Sequence, residues 1–268
     1  MPRLHITQID EEPVEQFSYR CASVGSKGIA ERMLPIYKGC MAGLPPALHA
    51  LIVASDLQGT IFRGPDEVLI GETLPEYLLL LLGMEYPGID GRKVGVLLCG
   101  DLYADPEQRG SSGSPVRVWQ AFRQYFGWVA GVAGNHDVLQ PGELELLQSD
   151  SGIYFMDTPS IVEPDGLRIA GLGGVIGRPD KPNRTPEQQY LRTIQQLLAR
   201  QPDSLLLHQS PDYPALQFEG SAQIRQTLEA TPATVVFCGH SHWEAALVRL
   251  ANGTQVLNVD AKVFIFTE

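Results

Sequence analysis

From residue 47 to the carboxyl terminus, short apolar runs alternate with longer stretches in which apolar residues recur at helical spacing. That alternation predicts an α/β layered domain. The runs HALIVAS, VGVLLC, WVAGVA, SLLLH and TVVFC lack polar alternation, so their strands are expected in a sheet covered on both faces. Helices are expected where capping residues precede an apolar stripe. One starts at Thr73, with Glu76 three residues on, and LLLLL at 78–82 lies inside it. Another starts at Ser114-Pro115, carries Val118, Trp119, Phe122 and Phe126, and stops at Gly127. A third opens at Thr185-Pro186 with Gln188 and runs through Tyr190, Leu191, Ile194 and Leu198, and a fourth begins near Ser221. SIVEPDGLRIAGL and ALVRLANGTQVLNV place Asp165-Gly166 and Asn252-Gly253 between apolar runs, which predicts tight hairpins and therefore mixed sheets. The final run, KVFIFT, is expected to finish a sheet. Residues 1–45 have weak periodicity and read as an amino-terminal extension packed on a domain that spans 46–268.

Composition narrows the class. The 268 residues are 44% hydrophobic, enough for a large buried core in one domain. The net charge of −11 gives no basic stripe for a phosphate backbone, which argues against a nucleic-acid partner but leaves a small phosphorylated substrate open. The first residues show no apolar signal region, and no segment reaches the roughly 18 apolar residues of a membrane span. The expectation is a cytoplasmic protein with no membrane partner. Of the four cysteines, Cys99 and Cys238 each end an apolar run and read as buried free thiols rather than a disulfide.

The chemistry lies at the carboxyl end of each buried run. LIVAS leads to Asp56, VGVLLC to Asp101, WVAGVA to Asn135 and His136, SLLL to His208, and TVVFC to His240 and His242. Of the six histidines, only His5 and His49 lie elsewhere. Alone, GNHD is a plausible turn and a single buried histidine is usually structural. His-x-His is a stronger signal, because alternation in an extended chain points both rings to one side. Together, polar groups that are costly to bury arrive in order at the carboxyl ends of strands, where α/β sheets gather their sites. Aspartates, one asparagine carbonyl and three imidazoles supply most of the ligands two divalent ions need, with hydroxide attack on phosphorus as the matching chemistry.

The ordered series Asp-x-Gln, GD, GNHD, His and GHSH, over residues 51 to about 260, resembles the calcineurin-like metallophosphoesterases. The resemblance implies a four-layer α/β/β/α sandwich with two mixed sheets and a dinuclear site at the strand ends. It implies one ion held by Asp56, Gln58, Asp101 and His242, and a second held by Asp101 as the bridge with Asn135, His208 and His240. His136, with Asn135 beside it, is implied as catalytic, protonating the leaving group or steadying the transition state. The activity so implied is hydrolysis of a phosphate monoester or diester of a small molecule, nucleotide-derived ones included.

Two positions depart from the family pattern. Most of the family has histidine where this chain has Gln58, and an amide oxygen is a harder, weaker ligand than imidazole. That favours Mn²⁺, with Fe, Zn or Mg as alternatives, and looks like the variant in manganese-dependent ADP-ribose and CDP-alcohol phosphodiesterases. In GDLYAD the third residue after the metal aspartate is Ala104 and Asp105 comes one later, which puts the His-Asp dyad of the phosphoprotein phosphatases in doubt and leaves Asp105 to orient His136 or to face solvent. The segment 173–188 is rich in Gly and Pro and holds Arg178, Lys181 and Arg184, read as a surface loop or as a phosphate-steering flap. Two other functions compete: an inactive metal-binding scaffold on this fold, favoured only by Gln58, and a nuclease, disfavoured by the charge.

Overall fold

The computed structural model describes residues 4–23 and 28–268; residues 1–3 and 24–27 of the amino-terminal extension lie outside the described residues. Two mixed sheets stack face to face. The larger runs from the edge strand Asp66–Leu69 through Thr60–Arg63, Glu15–Ala22, Ile29–Ala42, Lys262–Thr267, Ala50–Ser55, Val94–Leu98 and Trp128–Gly131 to Ile153–Phe155, with His5–Ile9 pairing beside Ile29–Ala42. The smaller runs Ser160–Val162, Ile169–Leu172, Ser204–Gln209, Val235–Gly239, Gln255–Asn258 and Leu247–Arg249. Both predicted hairpins form as antiparallel pairs, and Asp165 and Gly166 take the positive φ of a tight turn.

Three separate cores among the described residues show why the strands read as continuous apolar runs. Ala50, Ile52 and Ala54 point one way, with Val94, Val96 and Leu98, into a core shared with Leu74 and Leu78, Trp119 and Phe122, and Leu147 of the helices Ile70–Glu85, Val116–Tyr125 and Glu143–Gln148. Leu51, Val53 and Leu97 point the other way and meet Ile169, Leu206, Phe237 and Leu257 of the second sheet. The alternate residues of that sheet, among them Leu205, Leu207 and Val236, are covered by Tyr190, Ile194 and Leu198 of Glu187–Leu198 and by Ile224 and Leu228 of Ala222–Glu229. The central strands of each sheet are buried on both faces, and the layers are α/β/β/α.

The helix starts at Ser114-Pro115, Thr185-Pro186 and Ser221 are where the caps place them; at the last, Ser221 accepts the Ile224 N–H at 3.2 Å, a bond of about 1 kcal/mol. The first helix differs. It begins at Ile70 rather than after Thr73, because Glu72 reaches back to the Leu69 N–H at 3.2 Å while the Thr73 hydroxyl turns to the Ile70 carbonyl at 3.1 Å. KVFIFT is a central strand, parallel to Ile29–Ala42 and antiparallel to Ala50–Ser55. The amino-terminal segment thereby enters the sheet itself, with Glu15–Ala22 and Ile29–Ala42 as an antiparallel pair. Among the described residues no helix is long and apolar enough to cross a membrane.

Candidate metal centre

Ala50–Ser55, Val94–Leu98 and Trp128–Gly131 are parallel neighbours, so Asp56, Asp101 and the GNHD turn leave the first sheet at the same edge. Ser204–Gln209 and Val235–Gly239 are likewise parallel neighbours and bring His208 and His240 to the matching edge of the second sheet. A hydrogen bond ties the edges together: His208 Nδ1 lies 2.8 Å from the Cys99 carbonyl, which fixes that nitrogen as the donor and leaves Nε2 to face Asp101. Asp101, His208 and His240 have donor atoms within 4.8 Å of one another.

Around this trio the other residues take distinct places. Asp56 Oδ2 accepts the Ser55 hydroxyl at 2.7 Å and the His240 N–H at 3.0 Å. Gln58 Nε2 is 3.2 Å from Asp101 Oδ2; its oxygen and nitrogen exchange by a flip of the amide, so a cation on Asp101 would draw the oxygen instead. His136 donates its backbone N–H to Asp101 Oδ1 at 2.8 Å and is half-buried. His242 is not drawn into the trio. It is exposed and its Nδ1 lies 3.1 Å from Asp260 Oδ2, an arrangement in which a carboxylate orients a histidine for a ligand on its other nitrogen. Asp105 is not the partner of His136: its carboxylate accepts the Glu107 N–H at 2.9 Å, and Ser112 Oγ stands 3.3 Å from His136 Nδ1. The extra residue in GDLYAD turns Asp105 into the cap of its own loop.

The site is built for positive charge. Burial, Asp260 and Asp101 push Asp56 well above the usual carboxylate range. Burial also opposes the charge on Asp101, yet His208 and the His136 N–H outweigh it and hold that carboxyl below its ordinary value. His208 shows the reverse balance: burial disfavours its charged form, but Asp101 and Asp56 push it up to about 10. His240 is exposed on its outer side, yet the hydration it loses against the site and the neighbouring His208 take it down to about 4. A cation beside Asp101 would take over the charge that a protonated His208 otherwise supplies.

Two buried atoms show that the donor set fits a metal. Asn135 Oδ1 has no hydrogen-bond partner among the described residues, and His208 Nε2 has only Asp101 Oδ2 at 3.4 Å, outside hydrogen-bond geometry. Orphaned polar atoms cost about 1–3 kcal/mol each, and one oxygen and one imidazole nitrogen beside a carboxylate are ordinary ligands for a divalent ion. The backbone is strained in the same place. Asp56, Asp101 and His240 all have positive φ, at 53°, 53° and 70°, a conformation tolerated where it aims a functional side chain. Gly134 and Gly239 leave room for it, since a Cβ on either would collide with the carboxylate of Asp101 or Asp56.

Two carboxylates of the site lie beyond the ligand series read from the sequence. Asp137 is buried and accepts three backbone N–H groups, from Asp101 at 2.7 Å, Leu102 at 2.8 Å and Gly134 at 2.8 Å. It stands in the GNHD stretch, where its three acceptor bonds cannot be read from spacing. Asp260 does carry a readable signal: it comes after the buried strand Gln255–Asn258, as the other site residues come after theirs. Asp137→Asn is expected to turn an amide NH₂ toward at least one of those N–H donors, costing about 1–3 kcal/mol of stability. By loosening the Asp101 turn it should also weaken metal binding by about 10- to 100-fold, as loss of an outer-shell partner does. Thermal unfolding and titration calorimetry with Mn²⁺ read both effects; unchanged affinity would make Asp137 a fold residue only.

The two stacked sheets and the donor cluster between their edges define an α/β/β/α metal-binding protein. Residues 51–244 match the calcineurin-like phosphoesterase family. The chain belongs to that family, whose members are metal-dependent hydrolases of phosphoesters. Among solved structures, TT1561 of Thermus thermophilus is similar at a TM-score of 0.56 and 16% identity, over 80% of this chain and 90% of that one. A hypothetical protein from the same organism is similar at a TM-score of 0.48 and 18% identity, over 80% and 76% of the two chains. The first likeness establishes the fold alone. Comparison with the curated proteins finds no match.

Proposed function

We propose that the protein is a dinuclear metal-dependent phosphoesterase acting on a small phosphorylated molecule. The observation that carries this reading is the orphaned pair Asn135 Oδ1 and His208 Nε2 beside Asp101. One ion would be held by Asp101, Asn135, His208 and His240. The other would be held by Asp56, Gln58, Asp101 and His242, the last oriented by Asp260. Divalent ions in such a pair supply charge neutralisation at the phosphoryl oxygens and a lowered pKa for attacking water. His136 holds a proton for the leaving oxygen, steadied through Nδ1 by Ser112.

The net charge of −11 supports a small substrate over a nucleic acid, and the free thiols of Cys21, Cys40, Cys99 and Cys238 are in keeping with a cytoplasmic location. An inactive metal-binding scaffold is the competing reading. The Gln58 amide favours it, while a half-buried His136 beside the donor cluster has no use in a scaffold.

Metal-stripped protein is expected to recover hydrolysis of bis-p-nitrophenyl phosphate or p-nitrophenyl phosphate on resupply of Mn²⁺, and less with Mg²⁺, Zn²⁺ or Fe²⁺. Metal binding without turnover on either ester or on a panel of phosphorylated metabolites would favour the scaffold. Gln58 sets the ion preference in this reading. Gln58→His replaces a hard amide oxygen by imidazole and is expected to move the preferred ion from Mn²⁺ toward Zn²⁺ or Fe²⁺. The same activation series, run on the variant, checks it; an unchanged order of ions would remove Gln58 from the metal site.

A further inference from the structure

Beside Asp56, Gln58 and His242 opens a pocket of about 580 Å³, large enough for a ring-sized substituent. One wall comes from the strand pair Glu15–Ala22 and Ile29–Ala42, which lies outside the family match at residues 51–244. The opposite wall is the loop after Asp101.

Three tyrosines line this space, and each is backed by a feature that fixes its ring. Tyr37 stacks on Phe264, with centroids 5.1 Å apart and planes 16° from parallel. Tyr19 packs against Gly59, and Tyr103 against Gly113, so closely that a Cβ on either glycine would overlap the ring. Tyr19 is buried and backs the wall, while Tyr37 and Tyr103 are half-buried, and rings held this way have little entropy to lose on binding. His136 stands beside Gly110 and Ser112 at the margin of this loop wall, while the tyrosines line the space itself. With the role proposed above for His136, the departing group leaves at that margin and the group that enters the pocket stays bonded to phosphorus.

We propose that this pocket holds the retained substituent of a phosphodiester, that the substituent carries a planar ring, and that Tyr37 and Tyr103 select it. The proposal rests on the phosphoesterase reading above and makes the enzyme a diesterase whose specificity is supplied by its amino-terminal strands.

The test compares bis-p-nitrophenyl phosphate with methyl p-nitrophenyl phosphate, using the full chain loaded with Mn²⁺. Both release p-nitrophenol, and they differ in whether a ring or a methyl group stays behind. After division by the ratio of their uncatalysed rates, kcat/KM is expected to favour the bis ester by about tenfold, the worth of one good aromatic contact. Tyr37→Ala and Tyr103→Ala should each bring that ratio down toward 1. The ratio does not depend on how much of a variant folds, so partial misfolding does not mimic the effect. A normalised ratio near 1 in the unmodified protein, or a ratio that neither variant changes, overturns the pocket assignment and leaves the phosphoesterase reading intact. Hydrolysis of neither diester while p-nitrophenyl phosphate is turned over overturns the pocket assignment alone, and metal-dependent turnover of none of the three esters or of the phosphorylated metabolites overturns both.

Discussion

Asp101→Asn is expected to abolish metal-dependent stabilisation and to lower turnover by about 10³-fold or more while leaving the metal-free protein folded. Asp101 Oδ2 stands 3.4 Å from His208 Nε2 and 3.2 Å from Gln58 Nε2, and Oδ1 takes the His136 N–H at 2.8 Å. Through these contacts one carboxylate reaches residues assigned to both ions. Removing one partner of a buried ion pair ordinarily costs about 3–5 kcal/mol, because a charge is left stranded. Here the stranded partner is a histidine, which sheds its proton once the aspartate that raised it is neutral, so the penalty is largely avoided. Neutralising Asp101 also relieves Asp137, whose carboxyl is pushed up to about 6 by burial and by Asp101. The two effects offset, and the metal-free melting temperature should change little.

Metal binding has no such compensation. Saturation at 100 times the dissociation constant adds about 2.7 kcal/mol to a native state, and that increment should vanish when a shared anionic ligand becomes an amide. The chemistry loses several kcal/mol of transition-state charge stabilisation, which is about 10³-fold in rate. Melting curves with and without Mn²⁺, beside turnover of a nitrophenyl ester, read both. A variant that keeps its metal-induced shift would show that Asp101 is not a ligand.

Much of this architecture was legible in the sequence because burial writes itself into apolar runs. HALIVAS, VGVLLC and WVAGVA each sit between a helix layer and a second sheet, and both faces demand apolar residues. The candidate site residues stand out for the same reason: a polar residue directly after such a run has no packing explanation. Three things were not. The strands Glu15–Ala22 and Ile29–Ala42 carry mixed burial, with exposed residues on both, and no regular period survives. The start at Ile70 depends on which of Glu72 and Glu76 reaches an N–H, and spacing alone permits either. The exposure of His242 and its pairing with Asp260 were not readable either, since Asp260 is held by a parallel bridge to Ser55, a contact between residues far apart in the chain. Local pattern gave the ends of the strands, and tertiary pairing decided what each side chain meets there.

His136→Ala is expected to lower kcat by about 10² to 10⁴-fold on esters with poor leaving groups and much less on nitrophenyl esters, with metal affinity unchanged. The split comes from which of its atoms do which work. The bond to Asp101 Oδ1 comes from the backbone N–H of His136, which alanine retains, so the turn that aims Asp101 should survive. What alanine removes is the imidazole, whose Nδ1 stands 3.3 Å from Ser112 Oγ on a loop that also packs Gly110 against the ring. A residue that protonates the leaving oxygen matters in proportion to that oxygen's basicity. Nitrophenolate departs without help, whereas an alkoxide does not. A histidine that only holds the phosphoryl group would instead slow both classes alike. Measuring kcat for the variant on p-nitrophenyl and alkyl phosphate esters, with Mn²⁺ affinity by calorimetry, separates the roles. Equal losses on both classes would assign His136 to transition-state charge, and weakened Mn²⁺ binding would mean the GNHD turn itself had moved.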